Sequence, residues 1–305
     1  MTRMLIAWVA ALAACKPELG DPTSLVSEPR IIAVRSDPPE ALPDHAVTYQ
    51  ALIASPDGAA SPDVVWGFCA EPAPLSSNNT ASDGCVYSAA SLAARGPRVE
   101  ATIPAGACAV FGPTPPAPQP GQPQLRPHDA DVTGGYYQPI RALAQLDGAQ
   151  LAPAIGLTRI TCDLPDVSID IALDFHARYR ANQNPTLVDV VALGADRAAH
   201  AMTEPVPAHT AVTLRASWTA DSAESYPVFD RQLRALVDHR EAIRVSWFVS
   251  DGALAADRTG RGEAEPEMFA DDVWTTPDAG PAYLWVVVRD SRGGVAFAGY
   301  TVQLH

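Results

Sequence analysis

Two tandem β-sandwiches, an all-β architecture, are what this sequence encodes, and three observations say so. Apolar and polar residues alternate at a period of two in several segments, proline is abundant at 29 of 305 residues, and one order of elements is written out twice. Alternation of that kind puts one row of side chains on a core and the other in water. Proline removes an amide donor and clashes one turn back, which works against long helices. An apolar share of 47% supports a packed core. The length suits about two domains at ~100–200 residues each.

At the amino terminus Thr2-Arg3 is a short positive start, and Leu5 to Ala14 is an apolar run of ten residues without charge. A helix needs about 20 residues to cross a hydrocarbon core of ~30 Å. Residues 1–14 therefore read as a secretory signal peptide ending in small residues. Leu12-Ala13-Ala14-Cys15 resembles the lipobox of bacterial lipoproteins. The resemblance implies cleavage before Cys15, a diacylglycerol on its thiol and acylation, as by palmitate, of the new terminus. Several chains at ~0.8 kcal/mol per buried methylene anchor stably. By the same resemblance, Lys16 leaves delivery to the outer membrane or the surface open, where aspartate would favour the inner membrane. Residues 15–28, with proline, glycine and no strand pattern, read as a tether. Lys16 is the single lysine, so lysine-based catalysis is excluded from the folded body.

The first domain is assigned to 29–183 and the second to 184–305. In the first, Val47, Tyr49, Ala51 and Ile53 alternate, and Val64-Val65-Trp66-Gly67-Phe68 forms a second strand. Pro113 to Pro127 holds seven prolines in fifteen residues; such a stretch is extended and suits an exposed connection or, alternatively, a recognition loop. Val167 to Tyr179 alternates throughout and predicts a long half-buried strand. The domains meet near Asn182-Gln183-Asn184-Pro185. In the second, Val212, Leu214, Ala216 and Trp218 alternate, as do Ile243, Val245, Trp247 and Val249. Gln232 to Val237 is one or two helical turns or a strand. Tyr283 to Val288 is apolar on both faces, as a central strand would be.

The duplication rests on Pro43-Asp44-His45-Ala46-Val47-Thr48-Tyr49 against Pro207-Ala208-His209-Thr210-Ala211-Val212-Thr213-Leu214, and on Trp66 against Trp247. The second copy carries the longer insertion between these strands. Asp278-Ala279-Gly280, Tyr283 to Val288, Asp290-Ser291-Arg292-Gly293-Gly294 and a last strand to Leu304 resemble the close of bacterial immunoglobulin-like and PKD-like sandwiches. The resemblance implies that Trp66 and Trp247 take the place of the core tryptophan. The inter-sheet cysteine pair of antibody domains has no counterpart. With the lipobox, the chain resembles the Ig-like surface lipoproteins of unknown activity of diderm bacteria.

With Cys15 lipidated, Cys69, Cys85, Cys108 and Cys162 remain, an even number suited to two disulfides in an oxidising compartment. Of three pairings, Cys69–Cys85 with Cys108–Cys162 is favoured, because the first closes a polar, turn-rich loop. Without a CxxC pair or HxxxH, zinc is set aside. The formal charge of −14 repels phosphate backbones and excludes nucleic acid as a partner. It also leaves membrane attachment to the acyl chains.

No GxSxG, HExxH, GxGxxG or EF-hand pattern is present, and no catalytic residue, cofactor or metal is assigned. Asp170, Asp174 and His176 share the polar face of their expected strand, which reads as a solvated face before a metal or acid–base site. His128-Asp129-Ala130-Asp131 has metal-friendly residue types and no element to fix them. Asp251-Gly252, Asp271-Asp272 and Asp290 with Asp278 could offer oxygens to calcium but suit turn backbones better. Trp218, Trp274 and Trp285 could form a platform for sugar rings. Trp218 and Trp285 are expected in the core and Trp274 near a loop. The leading expectation is a non-enzymatic, exported, lipid-anchored envelope protein that presents loops to a protein or polysaccharide partner. A carbohydrate-binding module and a hydrolase with a dispersed site are the alternatives.

Overall fold

The computed structural model describes residues 22–59, 62–73, 81–88, 91–114, 117, 120–121, 135–146 and 148–305. The lipobox with Cys15, most of the stretch 113–127 and all of His128 to Asp131 lie outside the described residues.

The first sandwich runs through β1 (Arg30–Asp37), β2 (Glu40–Ala41), β3 (Ala46–Ser55), β4 (Gly58–Ala59), β5 (Asp63–Phe68), α1 (Asp83–Ser88), β6 (Arg98–Thr102), α2 (Ala107–Phe111), β7 (Gly135–Leu146), β8 (Ala149–Gln150) and β9 (Ala154–Thr161). In one sheet β3 is flanked by β1 and β6, and in the other the order is β2-β9-β7-β5. After α3 (Ile169–Arg178), the second sandwich comprises β10 (Leu187–Leu193), β11 (Ala199–Ala201), β12 (Ala211–Trp218), β13 (Ser225–Asp230), β14 (Ala235–Arg240), β15 (Ile243–Val249), β16 (Ala253–Leu254), β17 (Arg258–Arg261), β18 (Phe269–Thr275), β19 (Gly280–Arg289) and β20 (Val295–Leu304). Its sheets are β11-β10-β12-β18-β16 and β17-β15-β19-β20, with β13 and β14 paired apart as a hairpin.

Both sandwiches thus share one frame. β1, β3 and β6 correspond to β10, β12 and β18, and β5, β7 and β9 to β15, β19 and β20. This is the ABE-on-CFG arrangement of immunoglobulin-like sandwiches. Even the crossing of the first strand to the opposite sheet is repeated: β2 runs parallel to β9, and Val206 makes a parallel bridge to Leu304. The alternating rows read from the sequence face the cores. Val47, Tyr49, Ala51 and Ile53 are buried in one, Val212, Leu214, Ala216 and Trp218 in the other. The insertion in the second copy is the β13–β14 hairpin.

Val167 to Tyr179 is not a strand. Ser168 caps α3, its hydroxyl accepting the Ile171 amide at 3.5 Å. Ile171, Phe175 and Tyr179 recur at helical spacing, and Phe175 is buried and stacked on Tyr179 at 4.8 Å between ring centres. Ile169 and Leu173, which a half-buried strand would have hidden, are exposed. Gln232 to Val237 is the turn and second strand of the hairpin. The tether expected through residue 28 is packed at its end: Ser24 and Val26 are buried, and Leu25 bridges Val249 of β15.

The sandwiches lie side by side, sheet against sheet. Ile32, Leu52 and Ala54 on the outer face of β1 and β3 pack on Phe248, Tyr283 and Trp285 of β15 and β19. Ala33 meets Val287 and Val295. Apolarity on both faces of β19 therefore has a specific cause: one face lines its own core and the other is covered by the first sandwich. Gly58, at φ +106°, allows this approach, since a Cβ there would fall 2.6 Å from the Tyr283 ring.

Candidate functional site

At one end of this interface, charged side chains from both sandwiches and the linker meet out of water. Glu40 in β2 follows Pro38-Pro39, Arg159 pairs opposite it on β9, and Tyr179 closes α3. Glu224 and Glu241 flank the β13–β14 hairpin. Asp290 and Arg292 stand in the β19–β20 turn, where Asp290 Oδ1 accepts the amides of Arg292 at 2.9 Å and Gly294 at 2.8 Å.

The Tyr179 hydroxyl is the centre. It lies 2.9 and 2.7 Å from the Glu40 oxygens, to which it donates, and accepts from Arg159 Nε at 3.1 Å and Arg292 Nη1 at 3.2 Å. The Glu40 side chain is fully buried and that of Arg292 is 2% exposed. Arg292 donates from Nε to Glu241 at 2.8 Å, from Nη2 to Glu224 at 2.9 Å and from Nη1 to the Arg180 carbonyl at 2.9 Å. Glu40 also accepts from Thr161 at 2.6 Å and from the Asn182 amide at 2.8 Å. Asn184 ties the linker to both sides, donating to the Ser36 carbonyl and accepting the Val295 amide, each at 2.8 Å.

Four carboxylates face two guanidinium groups, so negative charge is in excess. Burial pushes the Glu241 carboxyl up to about 7, and the charge of Asp290 adds to the effect. Burial likewise raises Asp290, against the amides that hydrogen-bond it. The Tyr179 phenol is pushed up to about 12, chiefly by burial. Arg292 spends all three of its nitrogens on protein acceptors, and Glu40 both of its oxygens on protein donors. The charged groups are paired within the cluster, with the buried Asn182 Oδ1 left without a partner among the described residues, and the arrangement is that of a lock between domains.

The other residues singled out in the sequence are not brought together. His176 turns to Asp163 at 3.2 Å while Asp174 pairs with Arg178 at 3.2 Å one helical turn on. Asp271 holds Arg215 through two contacts of 2.7 Å. Asp272 is buried and caps the amides of Ala256 and Val273. Asp251 accepts the Gly252 amide, Asp278 pairs with His209, and Asp290 belongs to the lock. Among the described residues no three of His, Cys, Asp and Glu form a metal-binding group. Trp218, Trp274 and Trp285 are 3%, 0% and 4% exposed and offer no platform to a sugar. Trp274, expected near a loop, points inward from β18 and donates to the Asp251 carbonyl at 3.1 Å. Cys69 is joined to Cys85 and Cys108 to Cys162. Of the lock residues, the sequence marks Asp290 for another role and Tyr179, Asn182, Asn184 and Arg292 only as parts of a strand, a domain junction and a turn. The others come from separate segments with no common spacing.

No protein-family model matches the chain, and no curated protein matches it. Similar solved structures include a lipoprotein from Bacteroides thetaiotaomicron, 12% identical over 39% of this chain and 78% of its own, at a TM-score of 0.22. The D0-D1 domain of Intimin is 12% identical over 90% of this chain and 98% of its own, at a TM-score of 0.22. Fibronectin(III)-like modules of Clostridium thermocellum CbhA are 12% identical over 89% and 93%, at a TM-score of 0.23. By its own strand order, the chain is an all-β protein of two immunoglobulin-like sandwiches fastened together through a buried ionic lock.

Proposed function

We propose that this is a non-enzymatic, lipid-anchored protein of the bacterial envelope, with the outer membrane as its place, which presents two rigidly joined sandwiches to a protein or polysaccharide partner. The observation that carries the reading is the lock itself. Five buried charged groups, Glu40, Arg159, Glu241, Asp290 and Arg292, are spent on fixing one sandwich against the other, as a display scaffold requires and a catalytic site does not. Anchorage is supported by Leu12-Ala13-Ala14-Cys15 and by the packing of Ser24 to Val26, which seats the chain at the end of the tether. Among the described residues no helix is long and apolar enough to cross a membrane. The burial of Trp218, Trp274 and Trp285 removes the aromatic strip on which a carbohydrate-binding reading depended.

Metabolic labelling with palmitate and fractionation of the envelope test the anchor. The full chain is expected to be labelled and membrane-bound, and Cys15→Ser to be unlabelled and released or left unprocessed. Unchanged retention of that variant would overturn the anchor. Capture from envelope extract, compared between the wild type and a lock variant at Arg292, tests presentation. A partner recovered equally by both would show that the fixed orientation plays no part.

A further inference from the structure

A second polar site lies where the amino-terminal segment enters the body. On the outer face of β15 and its neighbours, Arg244 stands directly opposite Arg289 of β19, and Ser246 opposite Arg258 of β17. Directly opposed residues have Cβ atoms ~5 Å apart and diagonal ones ~7–8 Å, so Arg244, Arg258 and Arg289 are close neighbours. They line a cavity of about 380 Å³ together with Thr23, Ser24 and Ser246. Like charges so placed repel one another unless something negative stands between them.

Among the described residues the carboxylate lining this cavity is that of Asp257, and it pairs with none of the three arginines. Among the described residues, none of these three arginines makes an ion pair, although the chain carries 35 acidic residues against 21 basic ones. Arg215, Arg261 and Arg292 each find a carboxylate. Asp257 borders the same cavity, but its oxygens accept from Thr23 at 3.2 Å and Ser24 at 2.6 Å. Among the described residues Arg289 reaches only the Ile32 carbonyl, at 3.4 Å. Burial and then the charge of Arg258 hold its guanidinium below the ordinary arginine range. A bound anion would relieve both penalties.

We propose that Arg244, Arg258 and Arg289, with the Ser246 hydroxyl, form a binding site for a tetrahedral oxyanion of the phosphate or sulfate class. Guanidinium groups suit such anions because their planar donors match two oxygens at once. The net charge of −14 repels an extended polyanion but leaves a compact oxyanion free to enter a local cationic cavity. The groove adjoins Thr23, eight residues beyond Cys15, so a lipid headgroup and a free oxyanion are both within its reach. The headgroup source alone rests on the anchored reading above.

Isothermal titration of the full chain with sulfate and with inorganic phosphate at low ionic strength tests the site. Saturable binding is expected. The double variant Arg244→Gln/Arg258→Gln, whose side chains are exposed and whose folding circular dichroism checks, is expected to weaken it at least tenfold. The double control Arg95→Gln/Arg98→Gln, an equal charge change at exposed positions of the first sandwich, is expected to leave it within twofold. Absence of saturable binding, or equal losses in the double and control variants, would overturn the proposal. Vesicles of phosphatidylglycerol and of phosphatidylcholine, offered to the Cys15→Ser chain, separate the sources. Arginine-dependent binding to the anionic vesicles alone assigns the site to headgroups; sulfate binding with indifference to both assigns it to a free oxyanion.

Discussion

At matching places on their second sheets, Trp66 and Trp247 are fully buried yet satisfy their ring nitrogens differently. Trp66 donates to the Gly96 carbonyl at 2.8 Å, and Trp247 to the Thr259 hydroxyl at 2.8 Å. In the first sandwich the partner is a loop residue; in the second it is a residue of the neighbouring strand β17. The contrast extends through both domains. The first sandwich is stapled at the end of β5 by Cys69–Cys85 and at the end of β9 by Cys108–Cys162, each tying a short helix to a strand. The second has no disulfide and instead packs Trp218, Trp247 and Trp274 between continuous sheets, with its inserted hairpin held by the lock. One frame can thus be stabilised by covalent closure of long connections or by larger side chains on short ones.

Reduction should break this comparison most widely. Closing separations of 16 and 54 residues contributes about 3 and about 4 kcal/mol in the chain-entropy model. Calorimetry with and without reductant should therefore show the first sandwich losing most of its stability and the second losing less; equal losses would contradict the division of labour. Trp66→Ala and Trp247→Ala should each cost about 3–5 kcal/mol in urea denaturation. A much smaller cost at one would mean that the two tryptophans are not equivalent core residues. Arg292→Ala strips the guanidinium partner from Glu241 and Glu224, at a cost of about 3–5 kcal/mol. Small-angle scattering should show the domains separating while each core persists.

The smallest effect is on pH dependence. Because burial holds Glu241 near 7 in the folded chain against 4.5 when free, folding favours its protonated form. That contribution is complete below about 4.5 and is lost as pH rises through about 7. Asp290 acts in the same direction. Stability should fall across this window by on the order of 1–3 kcal/mol, and Glu241→Gln should flatten the profile. A profile identical to the wild type would remove Glu241 from the account.

What the sequence made legible was whatever one strand writes by itself. Val47 to Ile53 and Val212 to Trp218 alternate because each has one wet face, and the two tryptophans mark the strand opposite. The segment 167–179 misled because its alternation and its helical spacing share Ile171, Phe175 and Tyr179; the cap at Ser168 was the local signal that decides between them. Trp274 misled because two aspartates before it suggest a turn, whereas Asp271 points outward to Arg215 and Asp272 caps neighbouring amides. The lock was illegible for a different reason. Glu40, Arg159, Tyr179, Glu241 and Arg292 are isolated in sequence, and only the face-to-face docking of two sheets makes them neighbours. The docking itself left one trace, the doubly apolar Tyr283 to Val288.

The path of the chain before β1 has a mechanical consequence. Val26 donates to the Val249 carbonyl at 2.8 Å and the Val249 amide donates to the Ser24 carbonyl at 2.9 Å, while Arg30 grips the carbonyls of Thr23 and Leu25. Tension arriving from the amino terminus would therefore load β15, in the second half of the polypeptide, together with Arg30 at the start of β1. The sandwich that comes first in the gene would thus share any pull with the second instead of bearing it alone.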